Sequence, residues 1–120
     1  MAGKRPFLFP LAGTSDASGD LTLKSRPLKP GEVLCVQLIS VRNNDTAACV
    51  ATFGFERAGL QVWLETVTMT TATYVYNYYK PVWVPSDYQV LVKFASAGNK
   101  KLCQAWLYGY LARNGETRVE

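Results

Sequence analysis

The sequence predicts an all-β chain, a β-sandwich or barrel preceded by an extended N-terminal arm. Three observations predict it. Side chains alternate with period two, as in Leu60, Val62 and Leu64 against Gln61, Trp63 and Glu65. Turn-forming residues separate these runs at even spacing: Lys29-Pro30-Gly31, Asn43-Asn44-Asp45, Ala58-Gly59 and Ser96-Ala97-Gly98-Asn99. No apolar repeat of helical period runs for several turns. Six or more short strands separated by such turns imply a sandwich or a barrel.

Residues 1–31 hold Pro6, Pro10, Pro27 and Pro30, with GTSDASGD between them. Proline donates no ladder hydrogen bond, and Gly and Ser favour turns. This stretch reads as the arm: an apolar patch at Phe7, Leu8 and Phe9, a polar loop, and LTLK as an edge strand. The sandwich domain then spans 32–113, and 114–120 forms a flexible tail. Its runs are EVLCVQLISV (32–41), TAACVATFGFER (46–57) with Cys49, Ala51, Phe53 and Phe55 on one parity, and LQVWLETVTM (60–69). TATYVYNYYKP, VWVP and SDYQVLVKFA follow, and KLCQAWLYGYLA (101–112) closes the domain. Leu34 and Val36 are apolar, and so are Val33 and Ile39 on the other parity. That run is expected to be covered on both faces, by the facing sheet and by a neighbouring subunit.

A chain of 120 residues, 48% hydrophobic, can bury a core as one domain without disulfides or metal. Charged residues make up only 18%, which points to surface covered by another chain. The net charge of +4 is concentrated at the start. Lys4, Arg5, Lys24, Arg26 and Lys29 stand there against Asp16 and Asp20. A basic arm on a nearly neutral body suits an acidic partner surface.

No catalytic, cofactor-binding or metal-ligating set emerges. Histidine is absent, which removes the usual general base, the commonest metal ligand and any histidine-dependent triad. Cys35, Cys49 and Cys103 have no metal-ligand spacing and sit among apolar residues, so they read as buried thiols of a reducing compartment. The apolar run PFLFPLAG is too short and too broken for a signal peptide, and no stretch is long enough to span a membrane. The glycines lack the strand–loop–helix setting of a phosphate cradle. Among the acids, only Glu56 and Glu65 flank a hairpin turn closely enough to be considered as a carboxylate pair.

The stretch TTATYVYNYYKPVWVP is the most distinctive. Tyr74, Tyr76 and Tyr78 share one side of an extended strand. A buried face of three phenol hydroxyls needs three partners, so the side is expected to be half-wet. Single-stranded nucleic acid could stack there, but Lys80 is the one nearby base. A sugar could stack there, with Asn77 and Glu65 to bind its hydroxyls. A subunit interface formed by Tyr74, Tyr76, Tyr78 and Trp83 fits best, because tyrosine is enriched in interfaces.

Taken together, PFLFPL, KPGE, PVWVPSDYQVLVKFAS, AGNKK and LYGYLA resemble the head decoration, or cement, proteins of tailed bacteriophages, over most of residues 5–112. The resemblance implies a jelly-roll or β-sandwich fold and a structural role in the virion. It implies a homotrimer on the capsid exterior, bound where major capsid proteins meet and bracing the shell. Assembly would take place in the host cytoplasm. It further implies an arm that reaches the capsid, with Lys4 and Arg5 on acidic surface and Phe7 and Phe9 as anchors. It carries over no catalytic residue. The same pattern is similar to phage tail and baseplate sandwiches that bind carbohydrate, which is the alternative.

Overall fold

The computed structural model describes residues 5–43, 49–69, 75–97 and 100–113. These form nine strands: β1 (Arg5–Thr14), β2 (Leu21–Lys24), β3 (Glu32–Asn43), β4 (Cys49–Arg57), β5 (Leu60–Met69), β6 (Val75–Tyr78), β7 (Val82–Val84), β8 (Gln89–Ala95) and β9 (Leu102–Arg113). Among the described residues no helix is long and apolar enough to cross a membrane.

All pairings are antiparallel and lie in two sheets. The first has the order β1-β9-β3-β6, with β7 also paired to β3; the second has the order β2-β8-β4-β5. Strands β6 and β7 take successive stretches of the same edge of β3, Ile39–Arg42 and Leu34–Val36. They are one edge strand interrupted at Pro81, which has no N–H for the ladder. Counted so, two four-stranded sheets face each other and the chain crosses repeatedly between them. This is the jelly roll, an all-β sandwich as the sequence predicts.

The extended N-terminal segment is built into the sandwich. Every residue of β1 is paired with β9, from Arg5↔Leu111 to Thr14↔Leu102, and β2 is paired with β8. The boundary expected at residue 32 therefore moves to residue 5 among the described residues. Pro6 and Pro10 are tolerated because β1 is an edge strand with one partner.

Phe53, Phe94, Leu34, Ile39, Met69 and Leu107 fill the space between the sheets. The three cysteines are buried free thiols, as the sequence predicts. Cys103 lies beside Cys49, and its hydrogen bond holds the Cys49 pKa below that of an ordinary thiol. Arg57 pairs with Leu60 around Ala58 (φ 51°) and Gly59 (φ 84°), so two left-handed residues close the expected tight hairpin.

Two β-bulges set which side chains face outward. In β3 the register skips Gln37: Val36 pairs with Gly109 and Leu38 with Tyr108. Leu34 and Val36 point inward before the skip, and Ile39 and Val41 after it, and all four are buried. The bulge accounts for Ile39 in the double parity expected of this run, whereas Val33, ahead of the skip, stays on the outer side. In β5 the register skips Leu64: Phe53 pairs with Glu65 and Gly54 with Trp63. Both crossings use a glycine. A Cβ on Gly54 would lie 1.9 Å from the Val62 carbonyl oxygen, and one on Gly109 would lie 1.9 Å from that of Cys35.

Candidate interaction surfaces

The tyrosine side is an inner side. Tyr78 is buried, and its ring meets Phe53 edge-on with centroids 5.1 Å apart. Tyr76 is half-buried, 6.4 Å from the same ring, and its hydroxyl donates to Glu65 Oε2 at 2.6 Å. The β5 bulge explains this pairing. It turns Glu65 to the inner side at the open edge between β5 and β6, where the phenol needs an acceptor. The expected interface role of Tyr76 and Tyr78 is corrected accordingly: they close the core, and they offer no platform for a sugar or a base. Glu65 is engaged there too, while Asn77 is exposed on the other side of β6. Tyr74 and Lys4 lie outside the described residues, as do the side chains of Arg5 and Phe7. Phe9 packs against the core, so on β1 the outward apolar residue is Leu8, 62% exposed.

Glu56 and Glu65 do not form a pair. Glu56 lies in an outer row between Gln89 and Gln61, where the Lys24 ammonium 2.8 Å away holds its pKa below the usual carboxylate value. Glu65 faces Phe53 on the inner side.

Trp83 is exposed as expected, and the register places it in a larger surface. Its neighbour across β7–β3 is Cys35, which in turn pairs with Tyr110; the Trp83 and Tyr110 rings meet edge-on at 5.9 Å. Cys35, beside the Tyr110 hydroxyl, raises the Tyr110 pKa, with burial adding to it. Further rows on the outer side of the first sheet are Leu8–Tyr108–Leu38 and Pro10–Trp106–Ser40–Asn77. A third is Ala12–Gln104–Arg42–Val75. Tyr108 is 48% and Trp106 40% exposed. Among the described strand residues of this face, Arg42 is the one charged group. Residues 102–111 carried the signal for it: Trp106, Tyr108 and Tyr110 share one parity, while Cys103, Ala105, Leu107 and Gly109 share the other. The second set faces the core and leaves the three aromatics on the outer side.

The outer side of the second sheet differs. Thr22, Lys93, Thr52 and Thr66 form one row across all four strands. The next row holds Lys24, Leu91, Gly54 and Trp63. Thr52 Oγ1 and Thr66 Oγ1 are 3.1 Å apart, and Lys93 Nζ stands 5.8 Å from the centre of the Trp63 ring.

No protein-family model and no curated protein matches the chain. Solved structures do. A crystal structure of PirA has a TM-score of 0.53 at 10% identity, covering 82% of this chain and 92% of that one. The virus-like particle of extra small virus of the giant freshwater prawn Macrobrachium rosenbergii has a TM-score of 0.53 at 11% identity, covering 92% of this chain and 80% of that one. An arabinose-bound α-L-arabinofuranosidase has a TM-score of 0.53 at 12% identity, covering 92% of this chain but 23% of that one. At these identities the likeness is one of fold.

Proposed function

We propose that this chain is a virion structural protein that associates through the outer face of its first sheet. The observation that carries the reading is the apolar, nearly uncharged face formed by Leu8, Val75, Trp83, Leu102, Trp106 and Tyr108. From their exposures these side chains present about 600 Å2, most of the ~800 Å2 per partner of a standard interface. Covering that area stabilises association by about 15 kcal/mol at ~25 cal/mol per Å2, against an association cost of about 4–15 kcal/mol. The margin per contact is modest, and a lattice multiplies it. The fold shared with the extra small virus particle supports the same reading.

In its finer form, the protein is a homotrimeric decoration protein of the outer capsid surface, assembled in the host cytoplasm, and it acts without catalysis. Lys4 and Arg5, at the end of the chain that leads to Leu8, supply positive charge for an acidic major capsid protein. A shell-forming subunit is the second reading, favoured by the coverage of most of the extra small virus chain.

Sedimentation and electron microscopy of the protein produced alone separate these. A discrete small oligomer that adds to preformed shells supports decoration. Closed particles support the shell subunit. A monomer at high concentration that binds no shell overturns both.

A further inference from the structure

We infer that the outer side of the second sheet carries a binding site for a neutral saccharide, with Trp63 as its stacking platform. The inference does not rest on the virion reading. A groove of about 690 Å3 crosses this face, lined by Trp63, Thr22, Thr52, Thr66, Lys93 and Asp20 among others. That volume lies in the range of small-ligand sites, about 300–1,000 Å3, and holds one or two sugar rings.

The chemistry of the lining selects the ligand class. Trp63 is 40% exposed and offers an indole face on which the C–H side of a pyranose can lie. The threonine row supplies hydroxyls that both donate and accept, and Lys93 supplies three donors. Asp20 supplies an acceptor: among the described residues nothing bonds its carboxylate. Its backbone is fixed by Asp16, whose Oδ1 accepts from the Asp20 N–H at 2.9 Å, while the Asp16 N–H donates to the Asp20 carbonyl at 2.9 Å. The Ala97 N–H, donating to the Gly19 carbonyl at 2.9 Å, ties this turn to the end of β8. Donors, acceptors and a π-face thus converge from the strands and one pinned turn, the arrangement a polyol with an apolar side requires.

The charges argue against the neighbouring ligand classes. Asp20 repels a phosphate or sulfate, and Lys24 is tied to Glu56 at 2.8 Å, so of the two lysines here Lys93 is the one without an ion pair among the described residues. Tracking a nucleic-acid backbone takes several. The Lys93 ammonium stands over the indole at cation–π range. A sugar entering over the ring takes that place, and the ammonium moves to its hydroxyls.

The site depends on the β5 bulge. In unbroken alternation Trp63 and Thr66 face opposite sides of β5. The skip at Leu64 brings both outward, and at Gly54 the β5 backbone takes the place that a Cβ would occupy.

The test is a titration of the full chain with neutral monosaccharides and disaccharides of the gluco, galacto and N-acetylhexosamine series, up to roughly 50 mM because single-ring contacts bind near millimolar. The readout is the tryptophan indole N–H resonances, assigned by substitution. A saturable shift of the Trp63 resonance is expected. The affinity, read in every variant from the backbone amide resonances of Thr52, Thr66 and Lys93, should weaken at least about tenfold in Trp63→Ala, recover in part in Trp63→Phe, weaken about threefold in Asp20→Asn, and persist in Tyr108→Ala. Trp63→Phe and Asp20→Asn decide the matter if Trp63→Ala does not fold. No shift with any neutral sugar overturns the inference. So does a shift confined to Trp83 or Trp106, or binding of sulfated sugars or oligonucleotides alone.

Discussion

Gly54→Ala tests the bulge on which the second outer face depends. The added Cβ would lie 1.9 Å from the Val62 carbonyl oxygen and 2.9 Å from Trp63 Cα, both backbone atoms. No rotamer change relieves the contact. Reaching ordinary separation, about 3.5 Å, needs a shift of roughly 1.5 Å between β4 and β5. Overpacking of that kind costs about 1–3 kcal/mol, and one or two weakened ladder hydrogen bonds add about 1 kcal/mol each. A loss of about 2–5 kcal/mol follows, from a total of about 6–18 kcal/mol for a chain of this length. At about 4 °C per kcal/mol the melting temperature falls by about 8–20 °C. Calorimetry and urea titration measure it. Gly31→Ala is the control: Gly31 has φ +85° and nothing within 4 Å of an added Cβ, so it costs only the left-handed strain of about 1–2 kcal/mol. A Gly54→Ala protein melting within about 2 °C of the parent refutes the reasoning, as does an equal loss in Gly31→Ala.

Two further outcomes follow from the same contacts. Tyr76→Phe removes the donor to Glu65 and should cost about 1–2 kcal/mol in urea titration, with oligomeric state unchanged; a changed oligomer and unchanged stability would return Tyr76 to an interface. Acid should destabilise the fold through Glu32 and Glu56. Burial raises the Glu32 pKa, but Arg26 Nη1 at 3.0 Å and the Lys29 N–H at 2.9 Å outweigh it, so the native value lies below the ordinary 4.5. The Lys24 hydrogen bond lowers that of Glu56. For carboxylates lowered in the folded state, the stabilisation is complete above about pH 4.5 and is lost as pH falls through the lower native values. Glu32→Gln should therefore flatten the acid limb of the melting-temperature profile; an unchanged limb contradicts the assignment.

Much of the fold was legible because alternation and turn chemistry are local. Ala58-Gly59 closes its hairpin, the runs at 60–69 and 89–95 are strands, and the cysteines lie in the core. What period-two reading could not supply was phase. A bulge inserts one residue without changing composition, and everything beyond it changes side. This put Ile39 on the wrong parity relative to Leu34 and placed Glu65 beside Trp63, when the two face opposite ways. The prolines misplaced the domain boundary for a related reason: they exclude a central strand, but an edge strand such as β1 accepts them. Sequence alone makes the tyrosine side half-wet, because its hydroxyls need partners. That requirement was sound, and for Tyr76 the partner is Glu65, eleven residues earlier across the open edge of the sandwich. The sugar groove depends on a row of residues from four strands and a pinned turn, which no single run displays.

Hydroxyl-radical footprinting of the associated protein against the same protein at dissociating concentration tests most directly which face makes the contact. Leu8, Trp83, Trp106 and Tyr108 should lose reactivity on association while Trp63 keeps it. Protection of Trp63 with Trp106 and Tyr108 still reactive would contradict association through the first sheet.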